Sequence, residues 1–68
     1  MTQEELKTYY NIFKDCWKLF RKYATQNPIE WQDLAKEIRD LRIKYKENKL
    51  LCDILLAIYR EIERLEKR

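Results

Sequence analysis

The 68-residue chain has no glycine, no histidine, no serine and no valine, and it has one proline and two cysteines. Without glycine it lacks both a phosphate-cradling loop and the tight hairpin turns that need a left-handed residue. Without histidine, two cysteines cannot complete the usual ligand sets of a structural zinc site. These absences argue against β-hairpins, nucleotide-binding loops, metal sites and cofactor sites.

The two cysteines, Cys16 and Cys52, lie far apart and form no paired motif. This spacing differs from the dense disulfide framework of a small secreted domain, so we interpret both as reduced thiols. Cys16 falls on an apolar stripe and has no histidine to act as its base, which favours a core residue over a nucleophile. Cys52 is nearer a helix edge, where an accessible, redox-active thiol is the alternative.

The chain shows no pattern of a signal peptide or a membrane span. Residues 1–5 are polar and acidic, without the basic start and apolar middle of a secretory signal. The most apolar segment, residues 50–59, contains Asp53 and is much shorter than the ~20 residues that a helix needs to cross a bilayer. We therefore predict a cytoplasmic protein that does not insert into membranes.

The residues that are present favour helices, since 40% are charged and 46% are hydrophobic. A chain of this length forms one domain, residues 1–68, and buries only about 60% of the surface that it exposes when unfolded. Small domains usually add a disulfide, a metal or a second subunit to such a core. With the first two disfavoured, we expect an all-α, antiparallel three-helix bundle that forms a homo-oligomer, with helices at about 3–26, 28–47 and 49–67.

The first helix carries the most regular pattern. Thr2 and Glu5 have the spacing of a capping box at its start. Apolar residues then recur at intervals of seven in three rows, which are Leu6, Phe13, Phe20; Tyr9, Cys16, Tyr23; and Tyr10, Trp17, Ala24. Ile12 and Leu19 widen this stripe on one side, so we expect the helix to touch two neighbours.

Proline marks the first corner, because Pro28 restricts Asn27 to extended conformations and ends the first helix. We predict Asn27 as the N-cap of the second helix and Pro28 as its first residue. The apolar face of the second helix changes phase after residues 46–49, which predicts a break near Asn48. The alternative is a helical hairpin whose second helix continues from Pro28 to the end of the chain.

No arrangement of residues suggests a reaction. Acidic and basic side chains alternate along the predicted helix exteriors, as they do on a solvated surface, and none is paired in a pattern typical of acid and base catalysis. We therefore predict that the protein is not an enzyme and has no small-molecule substrate.

Aromatic residues make up 13% of the chain, which is more than a core of this size can enclose together with the aliphatic residues of the third helix. Some apolar surface should therefore contact a second copy or another protein. The residues predicted to form this partner face are Tyr10, Trp17, Trp31, Leu56 and Tyr59.

Nucleic-acid binding is the alternative function. The residues of the corresponding basic face are Lys14, Lys18, Arg21, Arg39, Arg42 and Lys46. The net charge is only +3 and acids interrupt both basic clusters, so we rank nucleic acid below a protein partner.

The opening of the chain, residues 1–10 followed by residues 13–20, resembles the small uncharacterised helical proteins encoded by phages and mobile elements of Gram-positive bacteria. The resemblance lies in length, composition and this opening segment. It implies a small accessory or host-interacting protein, and it assigns no site residues.

Overall fold

The computed structural model describes all 68 residues and contains three helices and no strand. They are α1 (Gln3–Ala24), α2 (Trp31–Lys44) and α3 (Lys49–Lys67). Tyr45, just after α2, donates a hydrogen bond to Asp15 in the middle of α1, and Tyr23 near the end of α1 donates one to Glu37 within α2, so the two helices are antiparallel. The carboxyl ends of α1 and α3 meet at a depression lined by Ala24 and Leu65. The predicted all-α, three-helix bundle is confirmed.

Helix α1 begins with the predicted capping box. The Thr2 hydroxyl accepts a hydrogen bond from the Glu5 amide at 3.1 Å, and the Glu5 carboxylate accepts one from the Thr2 amide at 3.0 Å. This exchange satisfies two of the amides that the first turn of a helix leaves without partners.

The first corner differs from the prediction. Helix α1 ends at Ala24 rather than near residue 26, and α2 begins at Trp31 with Glu30 as its N-cap, so Asn27 does not cap the helix and Pro28 is not its first residue. Ile29 packs against the core from within this connection, and the Gln26 side chain accepts the Glu30 amide at 3.1 Å. The segment 25–30 is therefore held by packing and by a side-chain hydrogen bond in a non-helical path.

The break at Asn48 is confirmed, and the continuous second helix is wrong. Helix α2 ends at Lys44, earlier than predicted, and the Asn48 side chain accepts the Leu51 amide at 3.1 Å as the N-cap of α3. Lys46 and Glu47 turn the chain with φ of 54° and 58°, in the left-handed region that favours glycine. Such residues are permitted without glycine when the surroundings hold them in place. Here Glu47 accepts two hydrogen bonds from the Arg42 guanidinium, at 3.0 and 2.8 Å.

The positive φ of Lys46 leads to a prediction about stability. We expect Lys46→Gly to raise the free energy of unfolding by about 0.5–1 kcal/mol, because relief of about 1–2 kcal/mol of steric cost exceeds the extra entropy that glycine gives the unfolded chain. Urea denaturation followed by circular dichroism measures the change. Lys36→Gly, at an exposed position inside α2, is the control and should cost about 1 kcal/mol instead. A loss of stability in both variants would contradict the strain at Lys46.

The core comprises only eight buried side chains, which come from all three helices. They are Ile12, Cys16, Leu19, Tyr23, Leu34, Leu51, Leu55 and Ile62. Helix α1 therefore turns the Ile12 and Leu19 side of its apolar stripe inward. Leu6 and Phe13, which begin one of the heptad rows, are exposed. The apolar surface of α1 is wider than the core that it covers.

The molecule is elongated, with extents of 41 × 18 × 16 Å. Its radius of gyration is 12.6 Å, whereas a chain of this length is expected to have about 11 Å. Its accessible surface is 5494 Å², compared with about 4,700 Å² for a monomeric protein of this mass. Helix α1 has 22 residues and α2 only 14, and residues 1–8 are exposed throughout. The amino-terminal turns of α1 thus project beyond the rest of the bundle.

Candidate interaction surfaces

Four large apolar side chains form a line on the outer face of α1, which we name the α1 strip: Leu6, Tyr10, Phe13 and Trp17. Their exposed fractions are 57%, 65%, 56% and 58%, in the same order. Successive members are four, three and four residues apart, so they are neighbours along one side of the helix. The Trp17 ring continues the line to the half-buried Phe20, with ring centroids 6.3 Å apart.

The direction of the α1 strip follows from helix geometry. Asp15 lies on the side of α1 that faces α2, since it accepts hydrogen bonds from Tyr45 and Lys44. Trp17 comes two residues later, about 200° around the helix axis. The α1 strip therefore points away from α2, and nothing in the chain covers it.

A row of basic residues lies immediately beside the α1 strip. Lys7, Lys14 and Arg21 follow Leu6, Phe13 and Phe20 in sequence and recur at intervals of seven. All three are exposed, and none forms an ion pair within the chain. The Lys14 ammonium lies 6.0 Å from the centre of the Tyr10 ring. We name these three residues the basic row.

A second apolar surface, which we name the α2/α3 patch, consists of Trp31, Leu56 and Tyr59. The rings of Trp31 and Tyr59 are 5.4 Å apart, and the Trp31 indole donates a hydrogen bond to Glu66 at 3.2 Å. Leu56 is 51% exposed and Tyr59 36%. Beside them Ile38 helps to line a shallow depression. This patch is smaller than the α1 strip, and Trp31 is already half-buried in it.

The predicted partner face is therefore divided between two surfaces. Tyr10 and Trp17 belong to the α1 strip, whereas Trp31, Leu56 and Tyr59 form the α2/α3 patch. Leu65 of α3 faces α1, and Leu56 lies nine residues before it, half a turn around α3, so Leu56 faces away from α1. The sequence prediction missed Leu6 and Phe13, although their place in the heptad rows with Tyr10 and Trp17 was visible.

The six residues of the predicted basic face are all exposed but do not form one surface. Lys18 lines a groove between α1 and α2 that also contains Asp15, Glu37 and Asp40. Arg42 lies at the opposite side of α2, beside the depression of the α2/α3 patch, and is paired with Glu47. The remaining members lie on α1, on α2 and in the following turn: Lys14, Arg21, Arg39 and Lys46.

No protein-family model, curated protein or solved structure matches this chain.

Two tyrosine–carboxylate pairs join α1 to α2. The Tyr45 hydroxyl donates to Asp15 at 2.5 Å, and Lys44 pairs with the same carboxylate at 3.0 Å. The buried Tyr23 hydroxyl donates to Glu37, and Lys22 pairs with that carboxylate at 2.9 Å. Each carboxylate thus receives one neutral and one charged donor.

The two pairs shift the pKa values of their members. Burial raises the pKa of Asp15 and of Glu37, but hydrogen bonds from a tyrosine and a lysine outweigh it, so both pKa values fall below their usual range. Burial, together with the hydrogen bond to Asp15, raises the pKa of Tyr45 to about 12. Burial and the bond to Glu37 also raise the pKa of Tyr23. The carboxylates are charged and the phenols neutral over the ordinary pH range.

The two cysteines are free and separate. Cys16 lies in the core, as predicted, and burial, with the nearby Asp15 charge, raises the pKa of its thiol to about 11. Cys52 is half-buried, and its sulfur lies 3.7 Å from a Glu47 oxygen.

No group of three His, Cys, Asp or Glu residues comes together in a way that would hold a metal ion. None of the three helices combines the length and the apolar character that crossing a membrane requires. The α1 strip, with its basic row, is the larger of the two exposed apolar surfaces, and the α2/α3 patch is the smaller.

Proposed function

We propose that the chain is a non-enzymatic protein-interaction module that acts through the α1 strip, by self-association or by docking on another protein. The observation that carries this proposal is the line of four large apolar side chains, each more than half exposed, on one face of one helix. Scattered exposed apolar residues are ordinary in monomers, whereas a contiguous row is typical of a binding surface. Aromatic residues are also enriched at the centres of protein interfaces.

The size of the exposed surface supports the same proposal. The α1 strip exposes roughly 400 Å², taking about 150–250 Å² for a whole aromatic side chain. A standard interface buries about 800 Å² on each partner, with an apolar centre and a polar rim. The α1 strip is large enough to form such a centre, and the basic row supplies part of the rim. The unusually large total surface of the monomer agrees with a chain that is completed by a partner.

The placement of the titratable groups supports a non-enzymatic role. The carboxyl groups with shifted pKa values, Asp15 and Glu37, are each bound by a tyrosine and a lysine. They join two helices and are not left free for proton transfer. A role as a phage or mobile-element accessory protein, which the resemblance implies, needs only occlusion of a target surface or assembly with it.

The proposal predicts the behaviour of a variant in which the α1 strip is made polar: Tyr10→Gln, Phe13→Gln and Trp17→Gln. We expect this strip variant to keep its helical circular dichroism and to melt within a few degrees of the parent, because none of the three side chains is buried. Self-association, measured by light scattering over a wide range of concentration, should be lost. If the parent is a monomer, proteins crosslinked to it in its native cells should be lost from the variant.

The matched control carries Leu56→Gln and Tyr59→Gln in the α2/α3 patch. This control should retain the mass and the partners of the parent. Identical mass and identical crosslinked proteins for parent and strip variant would overturn the proposal. Unfolding of the strip variant would also count against it, since the strip would then be a structural part of the bundle.

A further inference from the structure

The basic row provides information about the partner that the apolar strip alone does not. Its three cations recur with the same heptad spacing as the strip and lie along one edge of it. In paired helices, the residues flanking the apolar stripe form ion pairs with the opposite helix and determine which partners are accepted. Because Lys7, Lys14 and Arg21 have no ion-pair partner in the chain, they are available for this role.

A second copy of the chain does not complement this edge. In an antiparallel pair of α1 helices, corresponding flanks meet, so the basic row of one copy would lie against the basic row of the other. In a parallel pair, the row would lie against the Tyr9, Cys16 and Tyr23 edge, which in each copy already faces its own core. Neither orientation supplies acidic residues, and like charges in opposition disfavour pairing.

We propose that the α1 strip binds one amphipathic helix of another protein, whose apolar stripe is flanked by glutamate or aspartate residues along the edge that meets the basic row. This inference rests on the proposed function and specifies its partner. The strip extends over the 12 residues from Leu6 to Trp17, a rise of about 16 Å along the helix axis. A partner helix of three to four turns covers that length with apolar residues at alternating spacings of three and four.

The projecting end of α1 gives such a helix room to approach. Residues 1–8 are exposed throughout, so neither α2 nor α3 obstructs the amino-terminal half of the strip. At the other end, the Trp17 and Phe20 rings lie against each other and continue the apolar line toward the bundle. The site is thus an open helical face and not a closed pocket, and an intact helix docks on it without unfolding.

The test uses two synthetic amphipathic peptides with leucine at the positions that meet the strip. One peptide has glutamate at every flanking position and the other has lysine, and a hydrocarbon staple on the far side keeps both helical. Binding to the full chain is measured by titration calorimetry and by the emission of Trp17 in the Trp31→Phe protein. We expect the glutamate peptide to bind roughly tenfold more tightly, as three partly exposed ion pairs allow. The preference should shrink in high salt.

Charge reversal provides the decisive comparison. Lys7→Glu with Lys14→Glu should remove the preference or transfer it to the lysine peptide. The control, Arg39→Glu with Arg60→Glu, alters the net charge equally at exposed, unpaired positions away from the strip and should leave the preference unchanged.

The outcomes separate this inference from the proposed function. Equal binding of both peptides, abolished in the strip variant, would overturn the acidic partner and leave the interaction surface intact. Binding of neither peptide would count against both. A stable dimer that is lost in the strip variant would show that a second copy is the occupant and overturn the inference. Binding of a single-stranded oligonucleotide that depends on the basic row but not on Trp17 would also overturn it.

Discussion

Leu55→Ala is expected to lower the free energy of unfolding by about 2–5 kcal/mol, which is the largest effect of any substitution discussed for this chain. Leu55 is 2% exposed and is one of only eight buried residues, so a cavity at this position removes a large part of the core. Small domains have a narrow margin, typically about 5 kcal/mol, and the variant should be partly or wholly unfolded at room temperature. Urea denaturation followed at the helical circular dichroism band measures this loss.

The next residue along the chain provides the matched control. Leu56 is 51% exposed, and Leu56→Ala removes the same atoms from a position that makes no cavity. We expect a change within about 0.5 kcal/mol. Similar losses for the two variants would mean that the α2/α3 patch is packed as tightly as the core, which would contradict the division between them.

The second large effect concerns pH, and it arises from the two tyrosine–carboxylate pairs. Asp15 and Glu37 have pKa values below those of the unfolded chain, so their stabilisation is present above about pH 4 and is lost as the pH falls through the folded values. Tyr45 has a pKa raised to about 12, and that of Tyr23 is also raised. Their stabilisation is present below about pH 10 and is lost as the pH rises through the folded values.

Tyr45→Phe should therefore lower the free energy of unfolding at pH 7 by about 1–2 kcal/mol, because it removes a hydrogen bond to a charged, partly exposed carboxylate. It should also flatten the decline in stability between pH 10 and pH 12. Denaturation midpoints across pH, for parent and variant, provide the measurement. Tyr10→Phe is the control, since Tyr10 is exposed, and it should match the parent at every pH. If Tyr45→Phe loses stability between pH 10 and pH 12 as steeply as the parent does, the pair of Tyr45 and Asp15 does not stabilise the bundle.

Much of the fold could be predicted because its signals are local. The capping box at Thr2 and the phase change around Asn48 depend on residues within a few positions of each other, and the structure confirms both. The beginning of α2 could not be predicted in the same way. It depends on the packing of Ile29 against the core, which the helix-start signals in the sequence do not indicate.

The orientation of α1 shows a second limit of prediction from the sequence. Its apolar residues occupy so much of the helix circumference that periodicity predicts a helix without showing which part of the surface faces inward. The structure places Ile12 and Leu19 in the core and leaves Phe13 and Trp17 outside. The surplus of apolar residues was thus apparent from composition, but its division between α1 and the α2/α3 patch depends on how the helices pack.

Because one end of α1 projects from the bundle, the residues available for binding and the residues needed for folding are different parts of the sequence. Residues 1–8 contribute no buried side chain, so substitutions there leave the core intact. Residues such as Leu19 and Ile62, by contrast, tolerate little change in volume. In a family of such proteins, the amino-terminal turns would diversify as their targets change, while the inner face of the bundle would evolve slowly. Fusion of a new recognition segment to this end would then alter specificity without requiring a new fold.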